Sequence, residues 1–246
     1  MHAEDLTLTP LLPLLQDEDL EVCLLDLAGL TDQEATASRF LTSGEREQYA
    51  ELRHPARRRE WLGARVCLKT MLLRRGSVSD PLECEVVKDA RGRPGLSFAP
   101  GLPANGVHDC SLSHKGRFAC ACVSRIADSR VGVDIEEVSP RLLRLADAFT
   151  GDRDSLRRSH PPTERLTLLW ALKEARAKAA GGGIGLALMS VACRETAEGH
   201  LRVSTGDGLE CRARYFLHDG YAVAVCVTEE HVGAPRGAAA TTKKGS

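Results

Sequence analysis

Val131-Gly132-Val133-Asp134-Ile135-Glu136 alternates small or apolar residues with acidic ones, and that alternation decides how the chain is read. On a strand, residues two apart point to the same face, so Asp134 and Glu136 aim together while Val133 and Ile135 face a core. Two carboxylates about 6 Å apart repel by roughly 3 kcal/mol at an effective dielectric of about 20. Water at a strand end relieves that repulsion. In a partly enclosed site a hard divalent cation does so instead, and magnesium favours one or two carboxylates together with phosphate oxygens. By itself the stretch is compatible with either a solvated strand end or a metal site.

Downstream, Pro161-Pro162-Thr163-Glu164 suits the start of a helix that runs to about Ala180, where Gly181-Gly182-Gly183 stops it. This helix carries WALKEARAK at 170–178, with Trp170, Glu174 and Lys178 four apart on one face. Glu174 and Lys178 read as a surface ion pair, or as a third carboxylate with an ammonium beside it for phosphate. Upstream, 110–112 and 118–124 look like strands flanking a polar turn, His114-Lys115-Gly116. The hydroxyl of Ser113 and the imidazole of His114 can donate hydrogen bonds to a phosphate. A Ser-His nucleophile pair fits poorly, because neighbours on a strand face apart and no G-x-S-x-G elbow exists. Zinc on His108 and His114 lacks further ligands at usable spacing. The glycines at 181–185 follow a helix rather than open one, so they read as a stop and not as a phosphate loop.

Further out, 21–27 reads as a short buried strand, and Ser43 precedes a helix with Glu45 and Glu47 near its start. His54-Pro55 breaks the pattern. A second helix over about 56–75 places Trp61, Ala64, Leu68 and Leu72 on one stripe, opposite a basic face of Arg57, Arg58, Arg59, Arg65 and Lys69. Strand character returns at 83–88, before the turn-rich DARGRPG at 89–95, and again at 130–138. A short helix around 141–149 precedes the long one. Strands at 191–195, 200–204, 211–218 and 221–228 follow, the last two joined by a His218-Asp219-Gly220 hairpin turn. This order predicts an α+β protein of two similar halves, 1–128 and 129–230, with a small-residue tail at 231–246 read as disordered.

The 246 residues balance 33 basic against 34 acidic side chains, a net charge of -1. That gives no electrostatic reason to expect nucleic acid or an anionic membrane as partner. Nine cysteines, mostly inside apolar runs and with no Cys-x-x-Cys pair, read as free thiols of a cytoplasmic protein. The apolar stretch near residues 11–15 is interrupted by Pro13 and too short for a signal or a span.

Taken together and in this order, SLSHKG at 111–116, GVDIE at 132–136 and WALKEARAK at 170–178 resemble the Sfp-type 4'-phosphopantetheinyl transferase family. RRREWLGAR at 57–65 and the GRP turn at 92–94 fall where that family places coenzyme A contacts. The resemblance implies a pseudo-twofold α+β fold with its active site in the cleft between the halves. It implies that Asp134, Glu136 and Glu174 hold Mg2+ against the coenzyme A diphosphate, and that Glu174 helps deprotonate the carrier serine. Lys178, Ser113 and His114 would contact phosphates, and Arg59 and Arg93 would face the adenosine end, Arg93 standing where many members have lysine. The implied partners are coenzyme A and an apo acyl or peptidyl carrier protein of fatty-acid, polyketide or nonribosomal peptide synthesis, met by a monomer. Leu142, Leu143 and Phe149 are candidate carrier contacts or simply core. The rival readings are another magnesium-dependent diphosphate enzyme, such as a hydrolase, and a non-catalytic carrier-binding module.

Overall fold

A computed structural model describes residues 19–102, 106–156, 160–181, 188–196, 201–205 and 210–229, together with the backbone of 12–16. The tail at 231–246 and most of the glycine cluster lie outside the described residues. The first elements are β1 (Leu12–Gln16), β2 (Leu20–Asp26), α1 (Gln33–Phe40), α2 (Ser43–Glu51) and the long α3 (Pro55–Arg74). Then come β3 (Cys84–Lys88), β4 (Pro94–Phe98), β5 (Asp109–Lys115) and β6 (Phe118–Ser124). The second series is β7 (Ser129–Glu137), α4 (Pro162–Ala179), β8 (Ala192–Glu195), β9 (Leu201–Ser204), β10 (Glu210–His218) and β11 (Tyr221–Glu229).

Local chemistry sets the ends. Pro55 opens α3, where its missing N–H costs nothing. At α2 the cap is Thr42, whose hydroxyl accepts from the Glu45 N–H while Glu45 reaches back to the Thr42 N–H. The segment expected as a short helix near 141–149 is a 3-10 helix, Pro140–Ala148. Gly181, at φ +69°, follows the end of α4 in the left-handed region that favours glycine.

The strands pair in the order β1-β2-β6-β5 in one sheet and β7-β11-β10-β9-β8 in the other, with β3-β4 as a separate hairpin. Every pairing is antiparallel. Setting β2-β6-β5 beside β7-β11-β10, and the β4-β3 hairpin beside β9-β8, gives the same chain order twice, each with its long helix after the first strand. The expected α+β fold of two similar halves is therefore present.

Alternation along the strands builds four layers. Val22, Leu24, Cys120 and Cys122 of the first sheet meet Val131, Val133, Ile135, Val223 and Val225 of the second. The opposite faces carry Cys23, Leu25, Ala119 and Ala121 against α3, and Ala222, Ala224 and Cys226 against α4. All nine cysteines are buried and free. Among the described residues no helix is long and apolar enough to cross a membrane.

Two expectations need correction here. Arg65 and Lys69 do not lie on a solvated basic face of α3; both are buried against Glu45, itself buried. His114 and Lys115 are not in a turn but end β5, because Lys115 pairs with Phe118 and only Gly116-Arg117 make the turn.

Candidate active site

Strands β5 and β7 are edge strands of their sheets, and they run side by side. An edge leaves backbone groups without a ladder partner. Here alternate side chains of β5 supply contacts along β7. Asp109 Oδ2 accepts from the Val131 N–H at 2.6 Å, and Ser111 Oγ accepts from the Val133 N–H at 3.0 Å. Ser113 Oγ donates to Asp134 Oδ1 at 2.9 Å, and Lys115 Nζ lies 2.8 Å from Glu136 Oε2. Period-2 spacing puts all four rungs on one side of β5. Arg93 braces the seam from the β3-β4 turn, with Nη1 on Asp109 Oδ1 at 2.7 Å, Nη2 on Asp109 Oδ2, and Nη2 on the Val131 carbonyl at 3.1 Å. The hydrogen bonds to Asp109 hold its guanidinium above its ordinary pKa.

The other wall is α4. Gly132 lets it approach, since a Cβ there would overlap the Ala175 carbonyl and crowd the Ala179 N–H. That approach brings Lys178 Nζ to Asp134 Oδ1 at 2.7 Å, Ser113 Oγ at 2.9 Å and the Val133 carbonyl at 3.0 Å. Three acceptors match the three protons of an ammonium. Glu174 is buried one turn earlier. Burial pushes its carboxyl above the ordinary carboxylate pKa; the Asp134 and Glu136 charges add to this and Lys178 opposes it. Glu174 Oε1 and Asp134 Oδ2 are both buried without a hydrogen-bond partner among the described residues. A buried carboxylate oxygen left bare is costly.

Beside these groups lies a cleft of about 290 Å³, between α3, the β3-β4 hairpin, β5 and α4. Arg65, Lys88, Arg91, His114, Glu174 and Lys178 are among its lining. The cationic excess suits a polyanion. His114 Nδ1 is 3.2 Å from Glu60 Oε2 without a hydrogen bond between them. Burial lowers the imidazole's pKa, with Lys178 and Arg57 acting in the same sense and Glu60 against it. Glu60 accepts from the Gly116 N–H at 2.8 Å, so the carboxylate beside the imidazole also holds the hairpin turn.

The residues singled out from sequence separate into groups. Asp134, Glu174, Lys178 and Ser113 come together; His114 and Glu174 line the cleft. The Glu174–Lys178 pairing is not made, because Lys178 turns to Asp134 across the seam. Ser113 and Lys178 spend their hydrogen bonds on Asp134 rather than on open phosphate positions. Arg93 lines the cleft, but its guanidinium is already committed to the seam by three hydrogen bonds. Arg59 is not among the lining residues; its charge acts on Asp26, away from the cleft. Glu136 is held by Lys115, and among the described residues no group of three or more His, Cys, Asp or Glu side chains is disposed to hold a metal. The donor chemistry still suits a hard cation, since two bare carboxylate oxygens are what such an ion binds. Glu60 and Asp109 carry no site reading in the sequence and Lys115 is read there only as part of a turn, although the polar residues at 109, 111, 113 and 115 alternate in the period of a strand.

A family model described as the 4'-phosphopantetheinyl transferase superfamily matches residues 130–226, the segment holding Asp134, Glu136, Glu174 and Lys178. The chain is 33% identical over 145 residues to a 4'-phosphopantetheinyl transferase of Bacillus subtilis. That match takes in 54% of this chain and 63% of the relative, so it spans less than two thirds of the relative's length. It is 26% identical over 194 residues to the 4'-phosphopantetheinyl transferase Sfp of Bacillus subtilis strain 168, covering 76% of this chain and 82% of that one. A solved holo-(acyl-carrier-protein) synthase of Bacillus anthracis, in complex with CoA (3',5'-ADP), shares 26% identity at a TM-score of 0.34, over 41% of this chain and 95% of that one. Residues 130–226, with their acidic strand and helix, are similar to the 4'-phosphopantetheinyl transferase superfamily.

Proposed function

We propose that the chain transfers the 4'-phosphopantetheine arm of coenzyme A to a serine of an apo acyl or peptidyl carrier protein, releasing 3',5'-ADP. The observation that carries this reading is the pair of buried, bare oxygens, Asp134 Oδ2 and Glu174 Oε1, beside a cationic cleft. The transfer forms a bond between the serine oxygen and the β-phosphorus and breaks the bond from that phosphorus to 3',5'-ADP. Such a reaction asks mainly for positioning and charge neutralisation.

Asp134 and Glu174 would hold Mg2+, joined by Glu136 once Lys115 lets it go. When bound, that ion supplies neutralisation of the diphosphate and of the charge that develops on it. Arg65, Lys88 and Arg91 of the cleft attract the anionic substrate. His114, its pKa lowered by burial, presents its ring nitrogens beside them. Glu174 is suited to receive the serine proton at the carboxylate oxygen that the ion leaves free. Lys178 orients Asp134 rather than meeting the substrate first. In this reading the half before residue 129 contributes the substrate-facing cations and the half after it the metal ligands. Nine buried free thiols support a reducing, cytoplasmic compartment.

Incubation with coenzyme A, Mg2+ and an apo carrier protein, followed by mass spectrometry, tests the proposal. The carrier gains one phosphopantetheine if it holds. A carrier of unchanged mass with coenzyme A consumed points to a hydrolase instead. Asp134→Asn and Glu174→Gln are each expected to lower transfer by at least about a hundredfold while leaving the fold intact. Transfer at a near wild-type rate by either variant overturns the ligand assignment.

A further inference from the structure

The acidic strand and α4 together bring three carboxylates to this region, Asp134, Glu136 and Glu174, yet two ammonium groups already face them. Lys178 takes Asp134, and Lys115 takes Glu136. The two contacts differ in kind. Lys178 is held by three acceptors and ties α4 to the seam. Lys115 is the last rung of the β5 series, with its side chain 44% exposed and that of Glu136 21% exposed. An exposed pair of this sort is weak and readily exchanged. It is also specifically placed. The rungs at Asp109, Ser111 and Ser113 fix β5 against β7, so the position after next must deliver its side chain to the end of β7, where Glu136 stands.

We propose that Lys115 is a resident counter-ion of Glu136, which a divalent cation must displace before Glu136 can join Asp134 and Glu174 as a ligand. This rests on the metal-holding role proposed above for the three carboxylates. It accounts for the arrangement observed: two oxygens stand bare, and the third carboxylate is turned aside by a neighbouring ammonium. The consequence is a site whose affinity for divalent ions is lowered before substrate arrives, because binding must break an ion pair and place the ion near a positive charge. Two terms act in the same direction, loss of the Lys115–Glu136 attraction and repulsion between Lys115 and the incoming ion.

The test measures Mn2+ binding to the full chain without coenzyme A, by electron paramagnetic resonance of free Mn2+. Lys115→Ala is expected to bind Mn2+ about three- to tenfold more tightly than wild type, the scale of an exposed charge pair plus one nearby repulsion. Lys115→Arg, which keeps the charge, is expected to bind like wild type. The gain disappears in Lys115→Ala/Glu136→Gln if it acts through Glu136. Equal or weaker Mn2+ binding by Lys115→Ala overturns the inference, as does a gain that survives in the double variant. Wild-type transfer to a carrier protein, alongside unchanged Mn2+ affinity in Lys115→Ala, overturns this inference and leaves the functional reading standing. No transfer by wild type, with no Mn2+ bound by any variant, overturns both.

Discussion

Each half of the molecule buries a lysine on its long helix, and the two lysines are wired alike. Lys69 of α3 donates to the Phe40 carbonyl at 2.7 Å and to Glu45 Oε2 at 2.5 Å. Lys173 of α4 donates to the Phe149 carbonyl at 2.6 Å and to Asp154 Oδ2 at 2.8 Å. In both halves the carboxylate follows the phenylalanine by the same interval (40 to 45, 149 to 154). The second N–H of the interval also points at it, Thr42 to Glu45 at 3.1 Å and Gly151 to Asp154 at 3.0 Å. A strand or strand-bordering N–H completes each set, Val86 to Glu45 Oε1 at 3.1 Å and Cys193 to Asp154 Oδ1 at 2.8 Å.

The difference lies one residue further on. If Lys69 matches Lys173, then Thr70 stands where the second half has Glu174. Aligning β6 and β11 at Phe118 and Tyr221, each the first residue after its hairpin turn, carries Cys23 onto Asp134 and Leu25 onto Glu136 through the strand pairings. Cys23 and Leu25 pack under α3 as ordinary core. One scaffold therefore folds with an apolar lining in one half and an acidic one in the other. The acids are not what the fold requires; the buried lysine clips are common to both.

The strongest way to break this comparison is through the clips. Lys173→Met leaves the buried Asp154 without its cation and Lys69→Met leaves the buried Glu45 with only Arg65, 3.5 Å away, and each is expected to cost about 3–5 kcal/mol of stability. Urea denaturation of the two variants checks it. Costs that differ several-fold would mean that the matching geometry hides unequal roles. Adding Glu45→Leu to Lys69→Met removes the stranded charge and is expected to recover most of the loss.

How much of this could be read beforehand follows from the range of each interaction. Asp134, Glu136, Glu174 and Lys178 were legible because strand and helix periods are local and each motif lies within one element. The lysine clips were not. Lys69 meets Glu45 across 24 residues and Lys173 meets Asp154 across 19, so on the helix alone each reads as a solvated charge. The same reason explains Arg65, taken as part of a basic face but buried over the Trp61 ring. β4 was hidden in a turn-rich segment, since Pro94 and Gly95 argue against a strand that only its β3 partner stabilises. Lys115 reads as part of a turn because the hairpin length depends on pairing with β6, which spacing alone does not fix.

A smaller effect tests the closeness of α4 to β7. The first half has Glu21 at the position that matches Gly132, with its carboxylate on Arg75, whereas the second half admits no side chain there. Gly132→Ala is expected to push α4 outward and destabilise the protein by about 1–3 kcal/mol, measured by thermal unfolding. It should also carry Glu174 and Lys178 away from Asp134, so transfer falls further than the folded fraction does. A drop in transfer that merely tracks unfolding would show that the second half tolerates the wider spacing.

The smallest expected change has the most telling sign. Glu174 is a carboxylate whose pKa burial raises in the folded state, so folding favours its protonated form. Between the ordinary carboxylate pKa and the raised one, the native state holds a proton that the unfolded chain has lost, and stability therefore falls as pH rises. Above the raised value the whole penalty of a buried, bare carboxylate is present. Glu174→Gln removes that penalty without changing shape. It is expected to raise Tm by a few degrees at neutral pH, with the gain shrinking as pH falls through the raised pKa and gone below the ordinary carboxylate range, where the side chain is neutral in both states. Thr70, its counterpart in the first half, carries no charge to relieve, so Thr70→Val should show no such pH dependence. A variant that loses transfer while gaining stability marks a side chain kept for chemistry; a Glu174→Gln protein less stable than wild type at every pH would mean that the carboxylate belongs to the fold after all.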